Sequence, residues 1–313
     1  MTTLPIHFAP LQGYTEAAYR NAHAAAFGGV DTYYTPFVRI ERGEFRHKDQ
    51  RDITPERNTV PHLIPQLIAP NAEKAERIIS LFIEKGYREV NINLGCPFPV
   101  LAKRHNGSGI LPYPEEVQAL LSVVEKHPDL RFSVKMRLGW ENPDECLALA
   151  PILNAVPLEH ITLHARLGKQ EYKGIVDLDG FATFYEACTH PLIYNGDLHT
   201  VEEIQGIAER FPKLAGIMAG RGLLANPALA LEYKENRSLT PDEWSERLRV
   251  LHTAVFNHYE EQIQGGEAQL LAKMKTFWEY LLPDADRKLK KAIHKANKLV
   301  TYRQAAANIL SCH

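Results

Sequence analysis

The sequence has no hydrophobic run that approaches the roughly 18 apolar residues of a membrane-spanning helix. It has only four cysteines, Cys96, Cys146, Cys188 and Cys312, and no CxxC pair, so it indicates neither a zinc site nor a disulfide framework. Its N-terminus lacks the basic region and apolar stretch of a signal peptide. These absences predict a cytoplasmic protein without a membrane span or a metal. With 313 residues, 45% of them hydrophobic, the chain can fold into one large barrel and a smaller domain.

The net charge is also small, -2 at pH 7, so the molecule as a whole has no general attraction for nucleic acids. The charge is unevenly distributed, however. Residues 273–303 contain nine Lys and Arg against three Asp and Glu, a local net charge of +6, and the rest of the chain carries -8. This basic segment is either a face that binds a polyanion or a solvated helix surface.

Short apolar and β-branched stretches alternate with amphipathic stretches through the first two thirds of the sequence. The predicted strands are Ile6–Leu11, Thr32–Thr35, Leu63–Leu67, Glu89–Leu94, Phe132–Arg137, His160–His164, Leu192–Tyr194 and Gly216–Ala219. Helical spacing predicts helices that include Asn71–Lys85, Pro114–Lys126 and Val201–Arg210. Eight strands, each followed by a helix, predict an α/β fold, the TIM (β/α)8 barrel.

An open doubly wound sheet is the rival architecture. Its nucleotide-binding fingerprint has a formal match in Gly220-Arg221-Gly222-Leu223-Leu224-Ala225. The strand and acidic residue that such a unit needs do not follow, and a barrel uses the same glycines in a phosphate loop after its last strand.

The strand pattern stops at Thr240-Pro241-Asp242-Glu243, which has the N-cap, the proline and the acids of a helix start. Apolar residues then repeat at helical spacing to Ile263, a second segment contains Trp278, and a third spans Asp286–Val300. We therefore expect a barrel over residues 1–238 and a C-terminal all-α helical bundle over residues 239–313, which holds the basic segment.

Polar residues gather at the carboxyl ends of the predicted strands, where a TIM barrel places its active site. The motifs there are APLQGYTEAAYR, NLGCPFP, HNGSGILP, VKMRLGW, HAR, YNGD and AGRGLLANP. In this order and on these strands, the sequence resembles the tRNA-dihydrouridine synthases. The resemblance implies a flavin-dependent oxidoreductase that binds FMN, takes electrons from NADPH or NADH, and reduces the C5–C6 bond of a uridine in tRNA.

FMN needs a phosphate site, a partner for its pyrimidine edge and a cation near N1 and O2. Gly196, Gly220 and Arg221 suit the phosphate, because bare N–H groups and a guanidinium can approach it closely. Gln66 offers the ring edge a donor and an acceptor, and Lys135 suits N1/O2, with a core salt bridge as its alternative. The resemblance assigns Lys135 to N1/O2 and adds seven residues around the cofactor to Gln66, Gly196, Gly220 and Arg221, namely Pro10, Leu11, Gln12, His164, Arg166, Asn195 and Asp197.

Reduction of a uracil C5–C6 bond takes a hydride at one carbon and a proton from a general acid at the other. A thiol with an ordinary pKa of about 8.5 is protonated at neutral pH and can donate that proton. A lone cysteine is more often an inert core residue, and we expect this for Cys146, Cys188 and Cys312. The resemblance makes Cys96 the catalytic acid.

The resemblance also assigns Asn93, Arg137 and Tyr172 to a flipped-out uridine. An amide, a guanidinium and an aromatic ring are suitable groups for an unstacked base. Segments Thr35–Arg39 and Lys273–Trp278 are similar to the bacterial subfamily that modifies D-loop uridine 16. That similarity places four further residues against the tRNA, namely Arg39, Lys273, Tyr280 and Lys295. We expect the protein to be a monomer.

Two other functions fit parts of the sequence. A related FMN barrel that reduces a free pyrimidine or an enone would keep Lys135 and the phosphate loop, but it would not need the basic segment. A protein that binds tRNA without catalysis would need the basic segment but not the cofactor residues.

Overall fold

The computed structural model of the protein describes residues 3–311, so Cys312 lies outside the described residues. Eight parallel strands form a closed ring, in which each strand pairs with the next along the chain and the last pairs with the first. The strands are β1 (Ile6–Phe8), β2 (Thr32–Tyr34), β3 (Leu63–Ile64 and Gln66–Leu67), β4 (Glu89–Leu94), β5 (Arg131–Gly139), β6 (Leu158–Leu167), β7 (Leu192–Asn195) and β8 (Gly216–Ala219). The predicted TIM barrel is confirmed.

Two prolines set the limits of strands in this ring. Pro65 divides β3 because proline has no N–H to donate to a neighbouring strand. The segment before it pairs with β2 and the segment after it pairs with β4. β1 ends at Phe8, three residues before its predicted end, since Pro10 cannot extend the ladder and Leu11 begins a turn. β4 and β8 have their predicted ends, whereas β5 and β6 extend further on both sides.

Helices surround the ring and form the C-terminal part of the chain. They are α1 (Ala17–Ala26), α2 (His47–Asp52), α3 (Ala72–Glu84), α4 (Pro99–Ala102), α5 (Pro114–Leu121), α6 (Val123–Lys126), α7 (Asp144–Ala155), α8 (Leu178–Ala187), α9 (Val201–Arg210), α10 (Arg221–Ala225), α11 (Leu229–Glu235), α12 (Pro241–Gln262), α13 (Gly266–Phe277), α14 (Arg287–Lys295) and α15 (Leu299–Leu310). Three short 3₁₀ helices, Pro55–Arg57, Gly107–Ile110 and Gly168–Gln170, and a hairpin of Ile40–Glu41 with Glu44–Phe45 complete the regular structure of residues 3–311. Within residues 3–311, no helix is long and apolar enough to cross a membrane.

The strands separate the core that lies against the helices from the interior of the ring. Along β4, Val90, Ile92 and Leu94 join the main core between strands and helices, while Asn91 and Asn93 alternate with them and point into the ring. The apolar cluster inside the ring is small and consists of Ala9, Tyr34, Ile64, Ile193 and Met218. The remaining inward positions are largely polar, and this polarity supplies the site at the ring's carboxyl end.

The C-terminal part of the described chain, after β8, contains only helices, as predicted. Helix α12 packs on α1 and thereby attaches these helices to the barrel. At their centre, buried Trp278 donates from Nε1 to the Tyr302 hydroxyl at 2.9 Å, and His252 Nε2 lies 2.8 Å from the same oxygen.

The prediction of one helical segment over Asp286–Val300 is wrong. Helix α14 ends at Lys295 and α15 begins at Leu299, because Ala296 and Lys298 have extended ψ values of 123° and 149°. The break allows α14 and α15 to pack against each other, which a continuous helix could not do.

Candidate active site

A cavity opens at the carboxyl ends of the barrel strands. It brings together most of the predicted site residues, namely Pro10, Leu11, Gln12, Asn93, Cys96, Lys135, Arg137, His164, Tyr172, Asn195, Gly196, Asp197, Gly220 and Arg221. The lining also includes Phe37, which lies in the segment Thr35–Arg39, and Met218 and His199, which no motif marks. The alternation of β8 could have identified Met218 as inward-facing, and His199 follows the YNGD motif by two residues.

Lys135 is the cation inside this cavity. It pairs in register with Asn93 of β4 and with Thr162 of β6, and its ammonium group has no ion pair among residues 3–311. Burial, with a further contribution from Arg137, lowers the pKa of Lys135 to about 7. The core salt bridge considered as its alternative is therefore not formed, and the ammonium group is free to meet a ligand.

His164 lies beside this lysine and is neutral. Burial, and then the charges of Arg137 and Lys135, hold the pKa of His164 well below its ordinary value. Its Nε2 lies 3.4 Å from Nη1 of Arg166. Because a guanidinium can only donate, Nε2 is the acceptor and the proton of the imidazole is on Nδ1.

Asp197 binds two arginines at the cavity. Its carboxylate forms an ion pair with Arg166 through both oxygens and accepts from Arg221 Nη2 at 2.8 Å. Burial alone would raise the pKa of Asp197, but the hydrogen bonds and charge of Arg166, together with Arg221, lower it. Arg166 is buried and does not line the cavity, so it acts on the cavity through Asp197.

The cavity fits the parts of FMN. Gln12 Oε1 is buried and has no hydrogen-bond partner among the described residues, so an N–H of a flavin ring could satisfy it. The backbone is bare at two positions beside Arg221: a Cβ on Gly196 would lie 2.9 Å from Val176, and one on Gly220 would lie 3.2 Å from Ala9. Bare backbone next to a guanidinium is suited to a phosphate.

The Cys96 thiol lies in the turn that follows β4. Burial raises the pKa of this thiol more than nearby cations lower it, so the group is protonated at neutral pH. The Cys96 carbonyl accepts from the backbone N–H of Ser108 at 3.0 Å and from its hydroxyl at 2.9 Å. Gly107 packs so closely here that a Cβ would lie 2.6 Å from that carbonyl oxygen. Cys146 and Cys188 do not line the cavity.

Arg137 and Tyr172 are neighbours in the cavity lining; the Arg137 side chain is buried, whereas the Tyr172 ring is partly exposed. The guanidinium carbons of Arg137 and Arg221 lie 5.5 and 4.8 Å from the centroid of the Tyr172 ring, distances at which cation–π attraction operates. Arg137 also donates to the carbonyls of Gly95 at 3.1 Å and Leu167 at 2.8 Å. The ring of Tyr172 is 43% exposed and therefore accessible to a base that enters the cavity.

Gln66 lies below the cavity and does not line it. Its side chain is fully buried, its Nε2 donates to Asn91 at 2.7 Å, and its Oε1 accepts from Asn93 at 2.7 Å. Both ends of this amide are thus engaged within the barrel.

None of the four predicted tRNA residues lines the cavity, but the charge of Arg39 acts on the Cys96 thiol. Arg39 forms an ion pair with Glu41 at 3.2 Å. Lys273 pairs with Glu16 at 2.5 Å. Tyr280 packs edge-on against Tyr14, with centroids 5.1 Å apart. Lys273 and Tyr280 therefore join the loop after β1 to the C-terminal helices, whereas Lys295 is exposed on α14.

Within residues 3–311, no group of three or more His, Cys, Asp or Glu side chains is placed to hold a metal ion. The chemical groups of the cavity are an amine, guanidinium groups, amides, two imidazoles, a phenol, a carboxylate and a thiol. They suit an organic ligand that carries a phosphate.

Comparisons with known proteins agree with this geometry. The tRNA-dihydrouridine(16) synthase of Pseudomonas syringae pv. tomato is 29% identical over 271 residues, 80% of this chain and 82% of that protein. The protein of the same name from Pseudomonas putida is 26% identical over 260 residues, 79% of this chain and 80% of that protein.

Among solved structures, morphinone reductase has a TM-score of 0.51 at 14% identity over 77% of this chain and 88% of that one. The complex of 2-naphthoyl-CoA reductase with 2-naphthoyl-CoA has a TM-score of 0.55 at 10% identity over 74% of this chain and 50% of that one. Both likenesses establish the barrel fold. A family model described as dihydrouridine synthase (Dus) matches residues 7–311. The chain therefore belongs to the dihydrouridine synthase family.

Proposed function

We propose that this protein is a tRNA-dihydrouridine synthase that uses FMN and NADPH or NADH to reduce a D-loop uridine, at position 16, in tRNA. The observation that carries the proposal is that one cavity contains Lys135, which has no ion pair among the described residues, together with the protonated thiol of Cys96. A flavin that reduces uracil needs both groups from the protein: a cation beside its ring and an acid for the base.

FMN, when bound, supplies the hydride. On this proposal Lys135 and Gln12 contact the ring, and the bare backbone of Gly196 and Gly220 holds the phosphate with Arg221. Arg166 orients Arg221 through their shared partner Asp197. The remaining wall of the cofactor site consists of Pro10, Leu11, His164 and Asn195.

The proton comes from Cys96. Its Sγ donates to C5 of the uracil and is reprotonated from solvent before the next turnover. Because burial raises the pKa of this thiol, the reactive form is the dominant one at neutral pH. Arg137 and Tyr172 hold the base: the ring packs on the uracil face and the guanidinium binds a carbonyl oxygen.

The tRNA would contact both parts of the chain, a cofactor-binding domain over residues 1–238 and a helical domain over residues 239–313. Four lysines of the basic segment, Lys288, Lys291, Lys295 and Lys298, are exposed and have no ion pair among residues 3–311, so they are available to phosphates. The relatives named tRNA-dihydrouridine(16) synthase support position 16. We propose that the protein acts in the cytoplasm, as a monomer.

The proposed function is tested by identifying the modified nucleotide in the product. Two unmodified tRNA transcripts, one with uridine and one with cytidine at position 16, are incubated with the protein, FMN and NADPH and mapped by nuclease digestion and mass spectrometry. We expect a gain of two hydrogens at position 16 of the first transcript only. Modification at another uridine would overturn the position, and no modification in either transcript would overturn the reaction.

A further inference from the structure

A chain of buried side chains connects the Cys96 turn to the interior of the barrel. It begins at Asn93, whose Oδ1 accepts from the backbone N–H of Gly95 at 3.0 Å and of Cys96 at 2.8 Å. It continues through Gln66 and Asn91 to Ser133. We call Asn93, Gln66, Asn91 and Ser133 the amide chain.

The hydrogen bonds of the amide chain all have one direction. Backbone N–H groups only donate, so Asn93 Oδ1 must be their acceptor, and Asn93 Nδ2 then donates to Gln66 Oε1 at 2.7 Å. Gln66 Nε2 in turn donates to Asn91 Oδ1 at 2.7 Å, and Asn91 Nδ2 donates to Ser133 Oγ at 2.8 Å. The two N–H groups at the Cys96 turn therefore fix the orientation of every amide behind them.

These side chains occupy positions where a TIM barrel usually packs branched apolar residues. Gln66, Asn91 and Ser133 are in register on β3, β4 and β5, and all are at most 3% exposed. None of the three lines the cavity. Buried amides cost free energy unless they are hydrogen-bonded. Because Asn93 is the member of the amide chain that lines the cavity, the other three can affect a ligand only through Asn93.

The orientation also determines what Asn93 can present to a ligand. Its Oδ1 already accepts two hydrogen bonds, the number of its lone pairs, and one N–H is used by Gln66. A single N–H remains for the cavity. Asn93 can therefore donate to a carbonyl oxygen of uracil, but it cannot accept from N3–H or from an amine.

We propose that the amide chain positions the Cys96 thiol over the base and makes Asn93 a donor only. Gln66, Asn91 and Ser133 are positioning residues, since they act through Asn93. This inference rests on the proposed function, in which Cys96 is the acid. Loss of one hydrogen bond of the amide chain would keep the Cys96 thiol but would free the turn that orients it.

The experiment compares Asn91→Leu and Ser133→Ala with Thr162→Val. Thr162 is a matched control because it is fully buried inside the same barrel and its hydroxyl has no hydrogen-bond partner among the described residues. Two readouts are used: the anaerobic single-turnover rate of tRNA reduction, and the rate at which iodoacetamide alkylates Cys96, resolved by peptide mass spectrometry. Buried Cys146 reports global opening in the same samples.

We expect Asn91→Leu to slow tRNA reduction about tenfold or more, since a small misplacement of a catalytic group costs one to two decades in rate. Cys96 alkylation should change severalfold while Cys146 alkylation does not. Ser133→Ala should have the same effects to a smaller extent, Ser133→Thr should restore them, and Thr162→Val should behave as the unsubstituted protein. If Asn91→Leu does not fold, Ser133→Ala decides alone.

Unchanged tRNA reduction and Cys96 alkylation in Asn91→Leu and Ser133→Ala would overturn the positioning role. A Cys96→Ala variant separates this from failure of the proposed function. If Cys96→Ala loses tRNA reduction while the chain variants keep it, only the positioning role fails. If Cys96→Ala reduces tRNA normally, Cys96 is not the acid and both proposals fail together.

Discussion

Lys135 makes the affinity for FMN dependent on pH. Burial lowers the pKa of this lysine to about 7 in the cofactor-free protein, so its ammonium group is half neutralised at neutral pH and neutral in more alkaline buffer. FMN binding is proposed to use the charged form. Binding then takes up a proton, and each pH unit above 7 costs up to about 1.4 kcal/mol, a factor of ten in Kd. Between pH 7 and pH 9 this amounts to about fifty-fold weaker binding.

Stability should change in the opposite direction over the same range. The folded pKa of Lys135 lies below that of an unfolded lysine, so the unfolded chain binds more protons between about pH 7 and pH 10. This group therefore makes the cofactor-free protein more stable as pH rises, while FMN affinity falls. The two trends together separate titration of Lys135 from general alkaline damage.

The assay is a titration of FMN with cofactor-free protein, followed by quenching of flavin fluorescence at half-unit steps from pH 6 to pH 9. Lys135→Arg is the control, because arginine keeps its charge throughout this range, and its Kd should be nearly constant. If the Kd of the unsubstituted protein varies less than twofold from pH 7 to pH 9, FMN binding does not depend on the charge of Lys135. An equal dependence of Kd on pH in Lys135→Arg would show the same.

Cys96→Ala should keep FMN binding and NADPH oxidation, but its rate of tRNA reduction should fall about a hundredfold or more. Cys146→Ala should reduce tRNA at the unsubstituted rate. Equal rates of tRNA reduction in the two variants would show that Cys96 is not the acid. Lys273→Ala should lower the free energy of unfolding by about 1 kcal/mol through loss of its pair with Glu16, and should leave the salt dependence of tRNA binding unchanged. Lys295→Ala should instead flatten that dependence, by nearly one unit of slope per lost phosphate contact; filter binding at several salt concentrations checks both. Denaturant unfolding should show a loss of stability below about pH 6.5, of up to about 1.4 kcal/mol per pH unit for each histidine whose folded pKa is lowered, and a flat profile from pH 7 to pH 5 would contradict it. Burial lowers the pKa of His7, His23, His160, His164, His252 and His258.

The barrel could be predicted because its evidence is local. Alternation along β4 and the apolar character of β8 determine those strands within a few neighbouring residues, and both have their predicted ends. The carboxyl ends of parallel strands meet at one face, so the strand-end motifs converge on one cavity without further information. Errors arose where a backbone donor is missing, as at Pro10, or where a helix bends to pack on itself, as at Ala296.

Side-chain partners from distant segments were not predictable in this way. Lys273 belongs to a basic segment in the sequence, but its charge is paired with Glu16, 257 positions away. Gln66 has the right groups for a flavin edge, yet Asn91 and Asn93 engage both ends of its amide. Composition and motif identify which groups are present, and only the three-dimensional arrangement determines which of them remain free.

In the proposed reaction, electrons pass from a nicotinamide through this cavity to a uridine in tRNA. The most direct measurement is the visible absorbance of the FMN-loaded protein in an anaerobic cuvette, after addition of NADPH and then of unmodified tRNA. We predict that NADPH bleaches the flavin bands and that tRNA restores them, with about one dihydrouridine formed per flavin reoxidised. Flavin that is bleached by NADPH and stays bleached with tRNA, but recovers with an enone or a free pyrimidine, would show that tRNA is not the electron acceptor.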